Sequence, residues 1–92
     1  MVRRCMGLGH AEFLRGLPLA LGGLGWRREG DAILVEDSPR LLLIRLGPER
    51  QQRLGALALP QTLVTLSFQG YLEAERAAFL QRFDLAFQRG GG

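Results

Sequence analysis

The C-terminal segment Leu72–Gln88 constrains the fold most, because its composition predicts one long helix. The stretch LEAERAAFLQRFDLAFQ contains no glycine, proline or β-branched residue, and most of its residues favour helices. At 100° per residue, one arc of this helix is apolar and rich in phenylalanine, as expected of a buried face. That arc comprises Leu72, Phe79, Leu80, Phe83, Ala86 and Phe87.

Strand-like blocks precede this helix. Thr62–Phe68 (TLVTLSF) is rich in β-branched residues and alternates between two faces. Further upstream, the turn signals Glu29-Gly30-Asp31 and Asp37-Ser38-Pro39 separate short apolar runs, which predicts an antiparallel meander. The predicted strands of that meander are Leu24–Glu29, Ala32–Glu36 and Arg40–Leu46.

The segment Glu49–Leu59 is compatible with two structures. Pro48 suits the first position of a helix, but Gly55 falls in the middle of the segment and Pro60 cuts it short. A strand over Gln52–Leu59 is therefore favoured over a helix.

The N-terminal part predicts a short helix over His10–Gly16, ended by Pro18 and followed by a loop. Together these elements predict an α+β, two-layer fold. It has a roughly four-stranded antiparallel sheet, with the short N-terminal helix and the long C-terminal helix packed on it. The length of 92 residues suits a single domain over 1–92. Residues 1–9 and 90–92 are expected to be flexible ends.

The composition restricts the chemistry that this chain can perform. Lysine is absent, and Cys5 and His10 are the only residues of their kinds, which excludes a P-loop lysine, a Schiff base and an ordinary zinc site. We expect no catalytic residues, no metal and no cofactor, and an enzyme built only from arginine, aspartate, glutamate, serine and tyrosine is the third hypothesis. A lone cysteine, with neither a signal peptide nor a membrane span, predicts a soluble cytoplasmic protein that does not associate with membranes.

The basic residues are all arginine, and their excess over carboxylates is small. Twelve arginines against nine acidic residues give a net charge of +3, which attracts polyanions only mildly. The candidate anion-binding residues are Arg27, Arg28, Arg45, Arg50, Arg53 and Arg76. Arg76 lies within the apolar arc of the C-terminal helix, where snorkelling to the rim is favoured over anion binding. Nucleic acid or a small anion is therefore the second hypothesis for a partner.

The predicted strands are apolar on both faces, which exceeds what one helical layer can cover. An antiparallel sheet with one covered face normally alternates apolar and polar residues. The candidate interface residues are Leu41, Leu43, Leu63 and Leu85. The leading functional hypothesis is a non-catalytic interaction or assembly module that binds a second copy or another protein.

Overall fold

The computed structural model describes residues 1–90 and has two helices and a six-stranded sheet. It confirms the predicted α+β class. The elements in chain order are β1 (Val2–Met6), α1 (His10–Leu21), β2 (Gly25–Glu29), β3 (Ala32–Asp37), β4 (Arg40–Leu46), β5 (Arg50–Leu54), β6 (Leu57–Gln69) and α2 (Glu73–Gly90). Of the flexible end predicted over residues 90–92, residue 90 is the last residue of α2, and residues 91–92 lie outside the described residues.

The strands follow the order β1-β6-β4-β3-β2, and every pairing is antiparallel. Strand β6 has 13 residues; it pairs with β1 over residues 62–66 and with β4 over residues 64–69. Its N-terminal part pairs with β5 alone among the described strands. The β5–β6 hairpin therefore extends from the body of the sheet, and we call this hairpin (residues 50–61) the arm.

Both helices pack on one face of the sheet and bury it. Phe13 of α1 stacks on Phe87 of α2, with ring centroids 4.9 Å apart. A Cβ on Gly16 would lie only 2.9 Å from the Phe87 ring, so glycine is what permits this close approach. The core residues supplied by the sheet are Ile33, Val35, Leu42, Ile44, Leu46, Val64 and Leu66.

The predicted end of the first helix at Pro18 is wrong. Helix α1 continues to Leu21 and ends at Gly22, which adopts the left-handed conformation common at helix ends. Proline removes one helical hydrogen bond, but Leu17 and Ala20 on either side of it are fully buried. Core packing thus offsets the local cost, and the predicted loop begins later than expected.

The sheet has six strands rather than the four or so predicted from the sequence. Strand β1 occupies the N-terminal segment that was expected to be flexible. Its inward positions Val2, Arg4 and Met6 include a charge, which hides the alternation in the sequence. The second difference is a turn at Gly55, whose positive φ of 64° suits a two-residue hairpin loop. The strand predicted over Gln52–Leu59 is therefore two strands.

Helix α2 begins one residue later than predicted, and Leu72 is 70% exposed rather than part of the buried arc. Its backbone N–H donates to Glu75 Oε1 at 2.8 Å, and its carbonyl accepts from the Arg76 N–H at 2.9 Å. Leu72 therefore lies at the N-terminal cap of the helix. The three phenylalanines of the arc are buried as predicted.

Candidate functional site

The sheet has a second face, which the described part of the chain leaves uncovered by the helices. Directly opposed residues of antiparallel strands point to the same side, so the register identifies this face. Leu43, for example, lies between Ser67 and Leu34. We call this surface the open face. It comprises Arg3, Cys5, Arg27, Glu29, Ala32, Leu34, Glu36, Leu41, Leu43, Arg45, Leu63, Thr65, Ser67 and Gln69.

Leucines occupy the centre of the open face. Leu34 and Leu43 are direct cross-strand partners, and Leu41 is the next residue on the same side of β4. These three, which we call the leucine patch, line a shallow depression of about 350 Å³. Leu63 belongs to the same face but lies nearer the arm, and it is 44% exposed. Apolar side chains on a solvated sheet face are characteristic of an interface.

Charges of both signs surround the leucine patch. The open face carries three arginines, Arg3, Arg27 and Arg45, and two carboxylates, Glu29 and Glu36. Arg27 Nε lies 3.6 Å from Glu29 Oε1, and both side chains are well exposed, so this pair adds little stability. The face is therefore not a uniformly basic surface.

The arm is exposed along its whole first strand and carries three exposed leucines. Leu54 pairs with Leu57, and Gln52 pairs with Leu59. Since side chains alternate along β6, Leu57 and Leu59 lie on the same side of that strand as Leu63. Leu54, Leu57 and Leu59 are 54%, 64% and 45% exposed. The arm thus continues the open face with more apolar surface.

The structure does not bring the six candidate anion-binding arginines together. Arg27 and Arg45 lie on the open face, Arg50 and Arg53 on the arm, and Arg28 and Arg76 on neither. The Arg28 Nε donates to the Gly30 carbonyl oxygen at 2.8 Å, and Arg76 is exposed on α2. No single anion site within the described residues uses the whole set.

The four candidate interface leucines also separate into two groups. Leu41, Leu43 and Leu63 share the open face, as the alternation of β4 and β6 predicts. Leu85 lies on the outer side of α2 and is 53% exposed. Together with Leu19 it lines a shallow groove beside α1. Leu85 therefore belongs to the helical layer and not to the open face.

A polar cluster joins the β3–β4 turn to the start of α2. The Arg40 guanidinium contacts Asp37 and lies 2.7 Å from Glu75 Oε2, while its carbon lies 5.0 Å from the centre of the Tyr71 ring. Two carboxylates neutralise this arginine, so it is not available to an anionic ligand. The Tyr71 hydroxyl is buried with no hydrogen-bond partner in residues 1–90. Burial, followed by the Asp37 charge, raises the pKa of Tyr71 and keeps the phenol neutral.

His10 has a structural role at the start of α1. Its Nε2 lies 2.7 Å from the Gly47 carbonyl oxygen, which only accepts, so Nε2 carries a proton. Its backbone N–H donates to Glu49 Oε1 at 2.8 Å, and that carboxylate also suits the positive end of the helix dipole. Cys5, by contrast, lies on the open face. The contacts of His10 thus hold α1 to the β4–β5 connection.

Metal-binding clusters and membrane-spanning helices are both absent from residues 1–90. No group of three or more histidine, cysteine, aspartate or glutamate side chains in this range is arranged to hold a metal ion. Neither helix in the same range is long and apolar enough to cross a membrane.

Comparison with known proteins gives no match to this chain, whether with models of protein families, with curated proteins or with solved structures. A functional assignment therefore rests on the chain's own surfaces, and the open face with its arm is the one that carries the leucine patch and the arm leucines.

The arm leucines were missed by reasoning from the sequence. One continuous strand through Gly55 places Leu57 and Leu59 in a sheet interior, whereas the turn puts them on a projecting hairpin. The signal was present in Leu54-Gly55-Ala56-Leu57, a glycine-containing pair between two leucines.

Proposed function

We propose that this protein is a non-catalytic assembly module that pairs with a second copy of itself through the open face. The observation that carries the proposal is the leucine patch. It occupies the centre of a sheet face whose other side is already packed by both helices. Solvated faces of antiparallel sheets are ordinarily polar, and contiguous exposed apolar surface marks an interaction site.

A second copy fits this face because the face is complementary to itself. A two-fold symmetric interface places the same surface on both sides, so it needs apolar groups that pack together and charges of both signs at the rim. The open face offers the leucine patch with three arginines and two glutamates. A partner of one charge would leave part of this rim unpaired.

The burial of the leucine patch indicates a weak dimer. Leu41 is 37% exposed, and Leu34 and Leu43 are half-buried, so pairing removes only a limited amount of apolar surface from water. We therefore expect association in the micromolar range, with a dimer that separates on dilution.

The proposal is tested by sedimentation equilibrium from low to high micromolar concentration. The Leu41→Thr/Leu43→Thr variant removes apolar surface from the patch and keeps residues that favour strands. Leu85→Gln, which removes an exposed leucine from the helical layer, is the control. We expect the wild-type protein to form a dimer. The double variant should raise its dissociation constant about tenfold or more, and the control should leave the dissociation constant unchanged. A wild-type protein that stays monomeric, or a dimer weakened only by Leu85→Gln, would contradict the proposal.

Cys5 supplies an independent measurement on the unmodified protein. It is the only cysteine, it is exposed, and it lies opposite Leu63 on the open face. Its reaction with a thiol reagent should slow as the protein concentration rises through the dissociation constant. A rate that does not depend on protein concentration would show that this face stays free.

An anionic partner is the second candidate. It is favoured by the sequence from Arg50 to Leu72, which contains two arginines and no acidic residue. Binding of a labelled oligonucleotide at two salt concentrations tests it, because each neutralised phosphate adds about −0.7 to −0.9 to the log–log slope. Steep salt dependence that is lost in Arg50→Gln/Arg53→Gln would support this function. Absence of binding at low salt would remove it.

A further inference from the structure

We propose that the two copies exchange arms, each arm lying across the open face of its partner. This inference rests on the proposed pairing through the open face. Three observations carry it: the side of β6 on which the arm leucines lie, the exposed apolar surface that they hold, and the low charge on that side of the arm.

The arm presents its leucines on the side that the open face also faces. Leu57, Leu59 and Leu63 are separated by even numbers of residues along the single strand β6, so they lie on the same side of it. Leu54 is the cross-strand partner of Leu57. Strand β5 pairs with β6 alone among the described strands and is exposed along its length. The arm thus projects from the body of the sheet, and its apolar side is the side of β6 that carries Leu63.

The exposed apolar surface of the arm gives it a role in the dimer. Leu54, Leu57 and Leu59 are 54%, 64% and 45% exposed, whereas in the leucine patch Leu41 is 37% exposed and the other two are half-buried. An arm that lies on the partner's leucine patch removes both apolar surfaces from water, and the two-fold symmetry of the pairing makes this contact twice.

The composition of the arm favours a protein partner over nucleic acid. The side that carries Leu54, Leu57 and Leu59 has one charged residue, Arg50, which pairs with Gln61. A ribbon that binds nucleic acid needs several cations on its contact surface. Arg53 pairs with Ala58 and therefore points to the other side. A second copy supplies both the leucine patch and the carboxylate of Glu36 on its open face.

The first test compares two adjacent positions of the arm. Leu57→Thr/Leu59→Thr removes the leucines that face the partner, whereas Ala58→Thr introduces the same residue type on the opposite side. We expect the double variant to weaken the dimer about tenfold or more and Ala58→Thr to leave it unchanged. If Leu41→Thr/Leu43→Thr weakens the dimer but Leu57→Thr/Leu59→Thr does not, the exchange is wrong and the open-face pairing stands. If neither variant changes it, both are wrong.

The second test detects the contact directly and leaves the arm leucines in place. A nitroxide is attached to Ala56→Cys, at the tip of the arm, in a Cys5→Ser background. This protein is mixed with a ¹⁵N-labelled copy that carries Cys5→Ser alone. Broadening of the amide signals of Leu34 and Leu43 in the labelled copy is the expected result. A dimer without such broadening would overturn the exchange. A monomer that binds an oligonucleotide through Arg50 and Arg53 would overturn both proposals.

Discussion

Strand β4 contributes leucines to both faces of the sheet, and the leucines on the two faces differ in burial. Leu42, Ile44 and Leu46 point to the helices and are almost completely buried. Leu41 and Leu43 alternate with them on the open face, where Leu41 is 37% exposed. The difference between the two faces lies in the covering layer and not in the strand. A run of leucine therefore identifies a strand but not which of its sides belongs to the core of the monomer.

The covered face is closed by a continuous series of aromatic contacts, which the open face lacks in the described part of the chain. Neighbouring rings in this series have centroids between 4.9 and 6.0 Å apart. In order of contact the rings are Tyr71, Phe68, Phe79, Phe83, Phe87 and Phe13. Aromatic pairs stabilise a core beyond the area that they bury.

The largest difference between the faces should appear in adjacent truncations of β4. Ile44→Ala is expected to lower the free energy of unfolding by about 2–5 kcal/mol, because it leaves a cavity in the core. Leu43→Ala should cost less, about 1 kcal/mol in the monomer, since this side chain is only half-buried. Chemical denaturation below the dissociation constant of the dimer measures both. Equal losses would mean that the open face is as much a core as the covered one.

A smaller effect is expected where α1 approaches α2. Gly16→Ala places a methyl group against the Phe87 ring and should destabilise the protein by about 1–2 kcal/mol, since overpacking outweighs the better helix propensity of alanine. In a Phe87→Leu background the same change should be neutral or stabilising. Thermal unfolding of the wild type, the two single variants and the double variant gives the coupling energy between residues 16 and 87. A loss that persists in the Phe87→Leu background would place the strain elsewhere.

A weaker contribution comes from the ion pair that closes the covered face beside β1. Arg4 Nε lies 3.0 Å from Asp84 Oδ1, and the hydrogen bond to Asp84 raises the pKa of Arg4. Both side chains are more than one-third exposed, so a double-mutant cycle with Arg4→Gln and Asp84→Asn should give a coupling of at most about 1 kcal/mol. This coupling should decrease as salt is added. A coupling that salt does not change would contradict the partly solvated geometry.

The smallest effect is expected at Tyr71, the only tyrosine. Because its hydroxyl is buried without a partner, Tyr71→Phe should change the free energy of unfolding by less than about 1 kcal/mol, in the stabilising direction. The raised pKa means that the unfolded chain loses the phenolic proton first. Stability should therefore fall as the pH rises above about 10, through the folded pKa, and Tyr71→Phe should remove this slope.

Absorbance titration of the phenol in the native protein checks the cause of this pH dependence. A midpoint at or below the ordinary value would contradict the buried position of Tyr71.

The sequence predicts the parts of this fold that local patterns determine. The phenylalanine spacing of α2 and the alternation of β3 and β4 led to elements that the structure contains. Strand β1 could not be inferred in the same way, because Arg4 on its inward side is compensated by Asp84, which is 80 residues away along the chain. Pro18 and Leu72 were misplaced because tertiary packing and a capping contact determine the helix ends there.

For the candidate site, the sequence indicated that Leu41, Leu43 and Leu63 exceed the needs of one core. It could not separate Leu85 from these three, because that distinction depends on which face of α2 packs on the sheet. The projecting arm could not be predicted from the sequence, for a related reason. Alternation along β6 is the same in a sheet interior and in a projecting hairpin, and only the pairing partners distinguish the two.

The length of β6 also determines how backbone amide protons exchange with solvent along a single strand. From Val64 to Leu66 the strand pairs with β1 on one side and β4 on the other, above a packed core, so its amides there should exchange only when the body of the protein opens. From Leu57 to Gln61 the strand pairs only with the exposed β5, so local fraying should release those protons far sooner. One strand thus carries both slow and fast amides, with the boundary between Gln61 and Val64. A partner that covers the arm would move this boundary toward Leu57.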